Sequence, residues 1–366
     1  MAEAGTSADD LFAPARPTDG PVALRIGVLG ATGTGTAPLR ALAASVPGAR
    51  VVAVADDPGD TAGPARLAEL AELAGAAVLD RAALLAGDLD DGLDGVVVAT
   101  PDPAPALLDC LEAGLPAYVV PVAADPADLR AAVSLEDAGG RRLVQTGFLR
   151  RHDPAHLALR RAAGGLGAVR VLRGADRGGP GSWADQALAG LDAAAWLVGG
   201  SPVGVRVDHA EPGGPVLLTA RVTDPHVPGP APGTVVARLE VHPRPRGGHD
   251  VRCELVGARA TTGLAAPPAV RLVAGGRART ALPPGADARF ADATRTGLSA
   301  WVRSVRTGRG AGASLWDYYV AAEAVAAARA SWDGRTSVRV DPGPRPAVYD
   351  VPHRVVAQAA GPRPSR

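Results

Sequence analysis

The sequence predicts an α/β chain in two parts: a doubly wound parallel sheet, then an α+β part with a mostly antiparallel sheet. Three observations carry this. Short strands that are apolar throughout alternate with helical stretches up to about residue 147, a strict period-two alternation appears later, and a glycine cluster separates the first strand from the first helix. Strands without a polar face belong to a sheet covered on both sides, whereas alternating strands belong to a sheet with one wetter face.

The first part reads in order. Residues 22–29 form an apolar run leading into glycines, 37–46 have helical spacing, and 51–55 are β-like. An Ala/Leu/Glu helix follows over 64–74, with Gly75 placed to end it. Strands are expected at 95–99, 117–120 and 143–146, with helices over 104–113 and 126–138 between them. This is the doubly wound, Rossmann-type pattern that binds nucleotides at the carboxyl ends of its strands. The expected boundaries are a disordered tail over 1–20, a dinucleotide-binding domain over 21–147, a substrate or oligomerisation domain over 148–340 and a Pro-rich tail over 341–366.

In the second part, 234–242 alternates with Val235, Ala237, Leu239 and Val241 on one side and Val236, Arg238, Glu240 and His242 on the other. The stretch 249–257 does the same, opposing Val251, Cys253 and Leu255 to Arg252 and Glu254. Helices over 183–197, 291–306 and 315–330 are expected to cover the sheet's apolar face, and 224–233 reads as a Pro/Gly loop.

Composition excludes several classes. Charge balances at 38 basic and 38 acidic residues, so the chain lacks the cationic excess that nucleic acid or an anionic membrane surface would need. No stretch approaches the 18 or so apolar residues of a membrane span, and residues 1–20 lack the apolar core of a signal peptide. Cys110 and Cys253 fall in different predicted units, which fits a reducing, cytoplasmic setting better than a disulfide framework. There is no lysine anywhere. A GC-rich coding bias accounts for that, yet it has a chemical consequence: arginine, with a pKa above about 12, does not exchange protons as lysine can.

Gly30-Ala31-Thr32-Gly33-Thr34-Gly35 follows a strand and opens a helix, the context in which small residues let the backbone approach a pyrophosphate. Thr32 takes the usual second glycine position, so a tight turn without a ligand stays an alternative. Asp56 ends the second strand, where an acid accepts hydrogen bonds from the adenosine ribose and repels a 2′-phosphate, favouring NAD over NADP. Asp56-Asp57-Pro58-Gly59 also reads simply as a turn.

The chain resembles the glucose-fructose oxidoreductase, inositol dehydrogenase and MocA (Gfo/Idh/MocA) family over roughly 22–340. RIGVLGATGTG is similar to its first strand and loop, and VVVATPDP, with Thr100 and Pro101, to the turn beneath the nicotinamide. QTGFLRRHDPAHLALR resembles the crossover of inositol 2-dehydrogenases, and WADQALAGLDAAAWLVGG the helix that carries an Asp-x-x-x-His-x-x-Asp pattern. The resemblance implies an NAD-dependent oxidoreductase of a cyclitol, sugar or related polyol or ketone, with Asp185 catalytic and Arg150, Asp176 and Asp192 binding substrate. It also implies a homo-oligomer, dimer or tetramer, through the outer face of the second sheet.

The departures fall on the proton carriers. Where the family has Glu-Lys-Pro this chain has Val119-Val120-Pro121, in a stretch one residue shorter. Ala189 replaces the histidine, Gly190 a frequent glutamate, and Pro105 a frequent histidine after the Thr-Pro turn. Since a positioned acid–base group is worth about 10²–10⁴-fold, a second reading stands beside the first: a relative that binds a dinucleotide or sugar-like ligand, or serves as a subunit, without redox turnover. Reduction of an activated imine or conjugated ketone lies between the two. The remaining ionisable candidates are Arg150, Arg151, His152, Asp153, Asp176 and Asp185. Asp185 can equally be a helix N-terminal acid, and His152 can sit at a helix start.

Overall fold

The structure is a computed structural model that describes residues 23–350 except 32–34, 57–62, 87–88, 90, 178–180, 212, 225–232, 244–248, 265–269, 275–276 and 282–285. The expected tail over 1–20, Thr32, Gly33 and Thr34, and most of the 224–233 loop therefore lie outside the described residues. Strand β1 (Leu24–Leu29) is followed by α1 (Thr36–Ser45), β2 (Ala49–Ala55), α2 (Pro64–Ala74) and β3 (Ala77–Val78). Then come α3 (Arg81–Ala86), β4 (Gly95–Val98), α4 (Ala104–Glu112), β5 (Ala117–Val119), α5 (Pro126–Ala138) and β6 (Val144–Thr146). These strands pair in parallel in the order β3-β2-β1-β4-β5-β6. The order reverses between β1 and β4, the switch point at which doubly wound sheets open a crevice. All four residues of β4 are buried, as a strand covered on both faces must be. Gly75 ends α2 in the left-handed region at φ 63°, as its place in the sequence predicts.

A single 3₁₀ turn (Leu149–Arg151) leads into α6 (Pro154–Ala163), whose N-cap Asp153 accepts from the His156 backbone N–H. Next are β7 (Val169–Arg177), α7 (Trp183–Val198), β8 (Pro202–Ala210), β9 (Val216–Asp224), β10 (Gly233–His242), β11 (Asp250–Gly257) and β12 (Thr261–Gly263). A hairpin of β13 (Val270–Ala274) and β14 (Arg277–Ala281) precedes α8 (Ala286–Thr307), β15 (Ala313–Ser314), α9 (Leu315–Ser331) and β16 (Val338–Arg339). The second sheet has the order β12-β11-β7-β10-β9-β8-β16, with β7 and β10 parallel in an otherwise antiparallel set. Val235, Ala237, Leu239 and Val241 are buried, and α7 and α9 pack on the sheet. The wetter face pairs its charges across strands: Arg177 with Glu240 at 2.7 Å and Arg173 with Glu254 at 2.7 Å.

One expectation is corrected. The helix over 291–306, expected on the second sheet, belongs to α8, which crosses back and packs on α1. Its Leu298, Trp301 and Val302 join Ile26, Val28, Leu39 and Tyr118 in one buried cluster. The physical reason is a matched fit: Trp301 lies against Tyr118 with ring centroids 5.8 Å apart, and a Cβ on Gly95 would fall 2.9 Å from the indole. The start of α8 meets the second sheet, where Phe290 and Ala293 pack with Val251. Strand β15 likewise returns, adding antiparallel to β6. Residues 341–350, read from sequence as the start of a tail, end in a 3₁₀ turn (Ala347–Tyr349) with Val348 and Tyr349 buried. The Tyr349 hydroxyl donates to Glu136 Oε2 at 2.7 Å, while Glu136 Oε1 accepts from the backbone N–H of Leu143 and Val144. Among the described residues no helix is long and apolar enough to cross a membrane. Cys110 and Cys253 are buried, unbonded thiols, each pushed up to about 12 by burial.

Candidate functional site

The carboxyl ends of β1, β2, β4, β5 and β6 come to one edge, and most of the sequence-predicted residues hang from them. Gly30 has φ 77°, and a Cβ there would fall 2.5 Å from the Ala99 carbonyl oxygen, so the turn closes against β4 only with glycine. The Gly30 and Ala31 N–H groups donate to Ala55 O at 2.8 and 3.4 Å, tying the loop to the end of β2, where partly buried Asp56 follows. Gly35 N–H returns to Gly30 O at 3.2 Å. Helix α1 has Gly35 as N-cap and no side-chain cap, unlike α5, α6, α7 and α9, which are capped by Asp125, Asp153, Ser182 and Ser314. Among the described residues no side chain caps its first amides, which leaves them for an anion or water. This end of the fold fits a dinucleotide. Thr100 is buried and donates to Asp102 O at 2.8 Å, presenting Pro101 at the surface beside the Gly30 turn.

The stretch after β5 forms the next wall. Tyr318 of α9 donates its hydroxyl to Val122 O at 2.6 Å and accepts from Val122 N–H at 3.2 Å. Burial pushes this phenol well above its usual range. Asp185 of α7 accepts from Ala123 N–H through Oδ1 at 2.8 Å. Its Oδ2 accepts from the Ser182 N–H and hydroxyl at 2.6 and 2.8 Å, and the Ser182 hydroxyl accepts from Asp185 N–H, completing a capping box. Both oxygens of Asp185 are therefore occupied by backbone and cap.

Arg150 and Arg151 point into different ion pairs. Arg150 is buried against Asp176 of β7, and its guanidinium passes Gly190 of α7, whose Cβ would lie 3.7 Å from Nη1. The second oxygen of Asp176 meets His249 Nε2 at 2.8 Å. Burial pushes Asp176 up, but Arg150 and His249 outweigh it and hold the carboxyl below its ordinary value. A carboxylate only accepts, so the Nε2 that meets it carries a proton; Nδ1 is buried and has no hydrogen-bond partner among the described residues. Arg151 instead binds Asp192 of α7 at 3.1 and 2.5 Å and Asp317 of α9 at 3.3 Å. Burial raises Asp192 to about 6 despite Arg151. His152 sits just before α6, and Asp153 is spent on His156 at 2.5 Å and Arg289 at 3.1 Å.

Among the sequence-predicted residues, the structure brings Arg150 to Asp176 and sets Asp185 and Asp192 along α7, with Ala189 partly buried between them. It separates Asp192 from Arg150 and gives it to Arg151. Sequence reasoning missed His249, Asp317 and Tyr318. The signal available for His249 was a histidine after Gly247-Gly248 at the start of an alternating strand.

No protein-family model matches the chain. The chain is 37% identical over 342 residues to inositol 2-dehydrogenase 1 of Saccharopolyspora erythraea, covering 89% of this chain and 99% of that protein. It is 33% identical over 353 residues to the inositol 2-dehydrogenase of Acidothermus cellulolyticus, covering 90% and 98%. The fold is similar to the crystal structure of Lactobacillus casei myo-inositol dehydrogenase in complex with NAD(H) and myo-inositol, with a TM-score of 0.78 at 21% identity over 90% of this chain and all of that one.

Proposed function

This chain belongs to the Gfo/Idh/MocA family, and from that premise we propose that it is a nicotinamide-dinucleotide-dependent oxidoreductase of a cyclitol, sugar or related polyol or ketone whose proton handling has moved off α7. The observation that carries the reading is the single edge shared by the Gly30 turn, Asp56, the Thr100-Pro101 turn and Arg150, with Arg150 reaching across to Asp176 and His249 of the second sheet. Relatives named inositol 2-dehydrogenase over nearly their whole length support the substrate class.

Bound there, the dinucleotide supplies the hydride acceptor or donor. Gly30, Ala31, Gly35 and the uncapped start of α1, with Thr32, Gly33 and Thr34 in the same loop, would hold its phosphates; Asp56 would hold the ribose of NAD and disfavour NADP. Thr100 and Pro101 would back the reacting ring. Asp185 fixes the wall at Ala123, and any proton it took would compete with three hydrogen bonds already made. The proton acceptor assigned here is His249 Nδ1, because Asp176 fixes the Nε2–H tautomer and steadies the imidazolium that would form. Arg150 beside them suits a substrate hydroxyl that gains negative charge, and Asp176 would bind substrate through the same cluster. Asp192, locked on Arg151, would act on substrate only by positioning α7.

Nucleotide binding without turnover is the competing reading, favoured by the aprotic Val120 and Ala189 and by the saturated Asp185. A panel of cyclitols, sugars and their ketones assayed with NAD and NADP decides between them, beside fluorescence titration of NADH. We expect turnover slower than is usual for the family, lost by about 10²-fold or more in His249→Gln with NADH binding intact. We expect Asp56→Ala to weaken NAD more than NADP. NADH binding with no wild-type turnover, and activity only in Ala189→His combined with Val120→Lys, would establish the binding-only reading.

A further inference from the structure

A cavity of about 600 Å³ lies outside the nucleotide edge, lined by residues of α6, the second half of α7, the start of α9 and Arg345. That volume is in the range of small-molecule sites. Four guanidinium groups face it, from Arg142, Arg151, Arg160 and Arg345, against the two carboxylates of Asp192 and Asp317. The pairing is unequal. Arg151 is taken by both carboxylates, and Arg345 by Asp350 at 3.2 Å. Arg142 and Arg160 have no carboxylate within 4 Å among the described residues. Arg142 is largely withdrawn from water, its Nε has no hydrogen-bond partner, and burial holds its guanidinium below its ordinary value in spite of Glu136 and Asp317. The Arg160 guanidinium carbon lies over the Trp196 ring, 4.6 Å from its centroid, and burial and Arg151 hold this guanidinium below its ordinary value too.

A second observation points to a ligand. His152 is nine-tenths buried, lines the same cavity, and its Nε2 has no partner among the described residues. Burial, then Arg151, lowers its pKa, so at neutral pH it offers a hydrogen bond without further positive charge. The lining also offers carbon, from Leu191, Ala195, Trp316 and Val320. Two cations without a carboxylate partner among the described residues, in a cavity that also has an apolar lining, describe a ligand with a doubly negative head and a carbon body.

We propose that this cavity binds a phosphomonoester, its phosphate held by Arg142 and Arg160 with His152 and its carbon part against Trp196 and Trp316. A phosphate monoester carries about 1.5–2 negative charges near pH 7, which matches two unpaired guanidiniums. Arginine's planar fork bonds phosphate oxygens two at a time. The site shares no residue with the nucleotide edge, so the inference does not depend on the redox reading.

The test is calorimetric titration with phenyl phosphate, inorganic phosphate and benzoate, in the presence of saturating NAD to keep phosphate from the glycine loop. Phenyl phosphate is expected to bind with a defined stoichiometry, more tightly than inorganic phosphate and much more tightly than benzoate. Arg160→Ala, which removes a surface-reaching side chain, should weaken it about tenfold, and Arg142→Gln by at least as much, with far-ultraviolet dichroism unchanged in Arg160→Ala. Binding equal in wild type and Arg160→Ala, no saturable binding, or benzoate as tight as phenyl phosphate would each overturn the proposal.

Discussion

Helices α7 and α9 begin alike and serve differently. Each opens on a Ser-x-x-Asp capping box, Ser182 with Asp185 and Ser314 with Asp317, in which serine and acid satisfy each other's backbone amides. Each acid also reaches outside its box. Asp185 reaches a main-chain amide at Ala123, whereas Asp317 reaches a guanidinium, Arg151, that also holds Asp192. The difference teaches that an acid at the third position of a helix is first a piece of the helix, and that its further role is set by what faces it. A neutral amide leaves Asp185 fixing a wall; a buried cation makes Asp317 part of an ionic junction between α7, α9 and the crossover turn.

The largest effect that would sharpen this contrast is loss of the junction's cation. Arg151→Ala leaves Asp192 and Asp317 facing each other without a counter-charge, and we expect a loss of about 3–5 kcal/mol in urea unfolding. A loss no greater than that of Asp185→Ala would break the comparison. Next come the boxes themselves: Asp317→Ala and Asp185→Ala should each cost about 0.5–2 kcal/mol for the cap, with Asp317→Ala the costlier because Arg151 then loses a partner. Equal costs would mean that the outward reach of Asp317 contributes nothing.

The smallest effect lies in pH. Burial raises Asp192, so its contribution is present below its unfolded value of about 4 and is lost as pH rises through about 6. Asp317 has the opposite sign: burial pushes it up, yet Arg151 and Ser314 hold it below its ordinary value, so its contribution is present above about 4 and is lost as pH falls through the lowered value. Urea unfolding from pH 3 to 7 should therefore show the deficit of Asp192→Asn shrinking as pH rises and that of Asp317→Asn shrinking as pH falls. Parallel slopes would show that the two carboxylates titrate as one.

These contacts mark what a sequence can display. The Gly30 turn, the Gly75 helix end and the period-two strands were legible because each is a local demand of the backbone on neighbouring residues. The apolar stripe of α8 was legible as buried, but not its partner, since periodicity says that a face is covered and not by what. His249 and Asp176 lie 73 positions apart, and Arg150 is a further 26 from Asp176. Asp185 was legible both as a helix-start acid and as a family position, and its bonds to Ser182 and Ala123 belong to the first description.

The return of α8 and Tyr349 to the layers of the first sheet sets an order in time. Leu298 and Trp301 complete the core beside β1, and Tyr349 completes the environment of Glu136, whose carboxyl burial pushes up. During synthesis the amino-terminal sheet waits about 150 residues beyond β6 for Leu298 and Trp301 and about 200 for Tyr349, holding apolar surface that later residues will cover. The half of the chain that emerges first is therefore the half whose core is completed last.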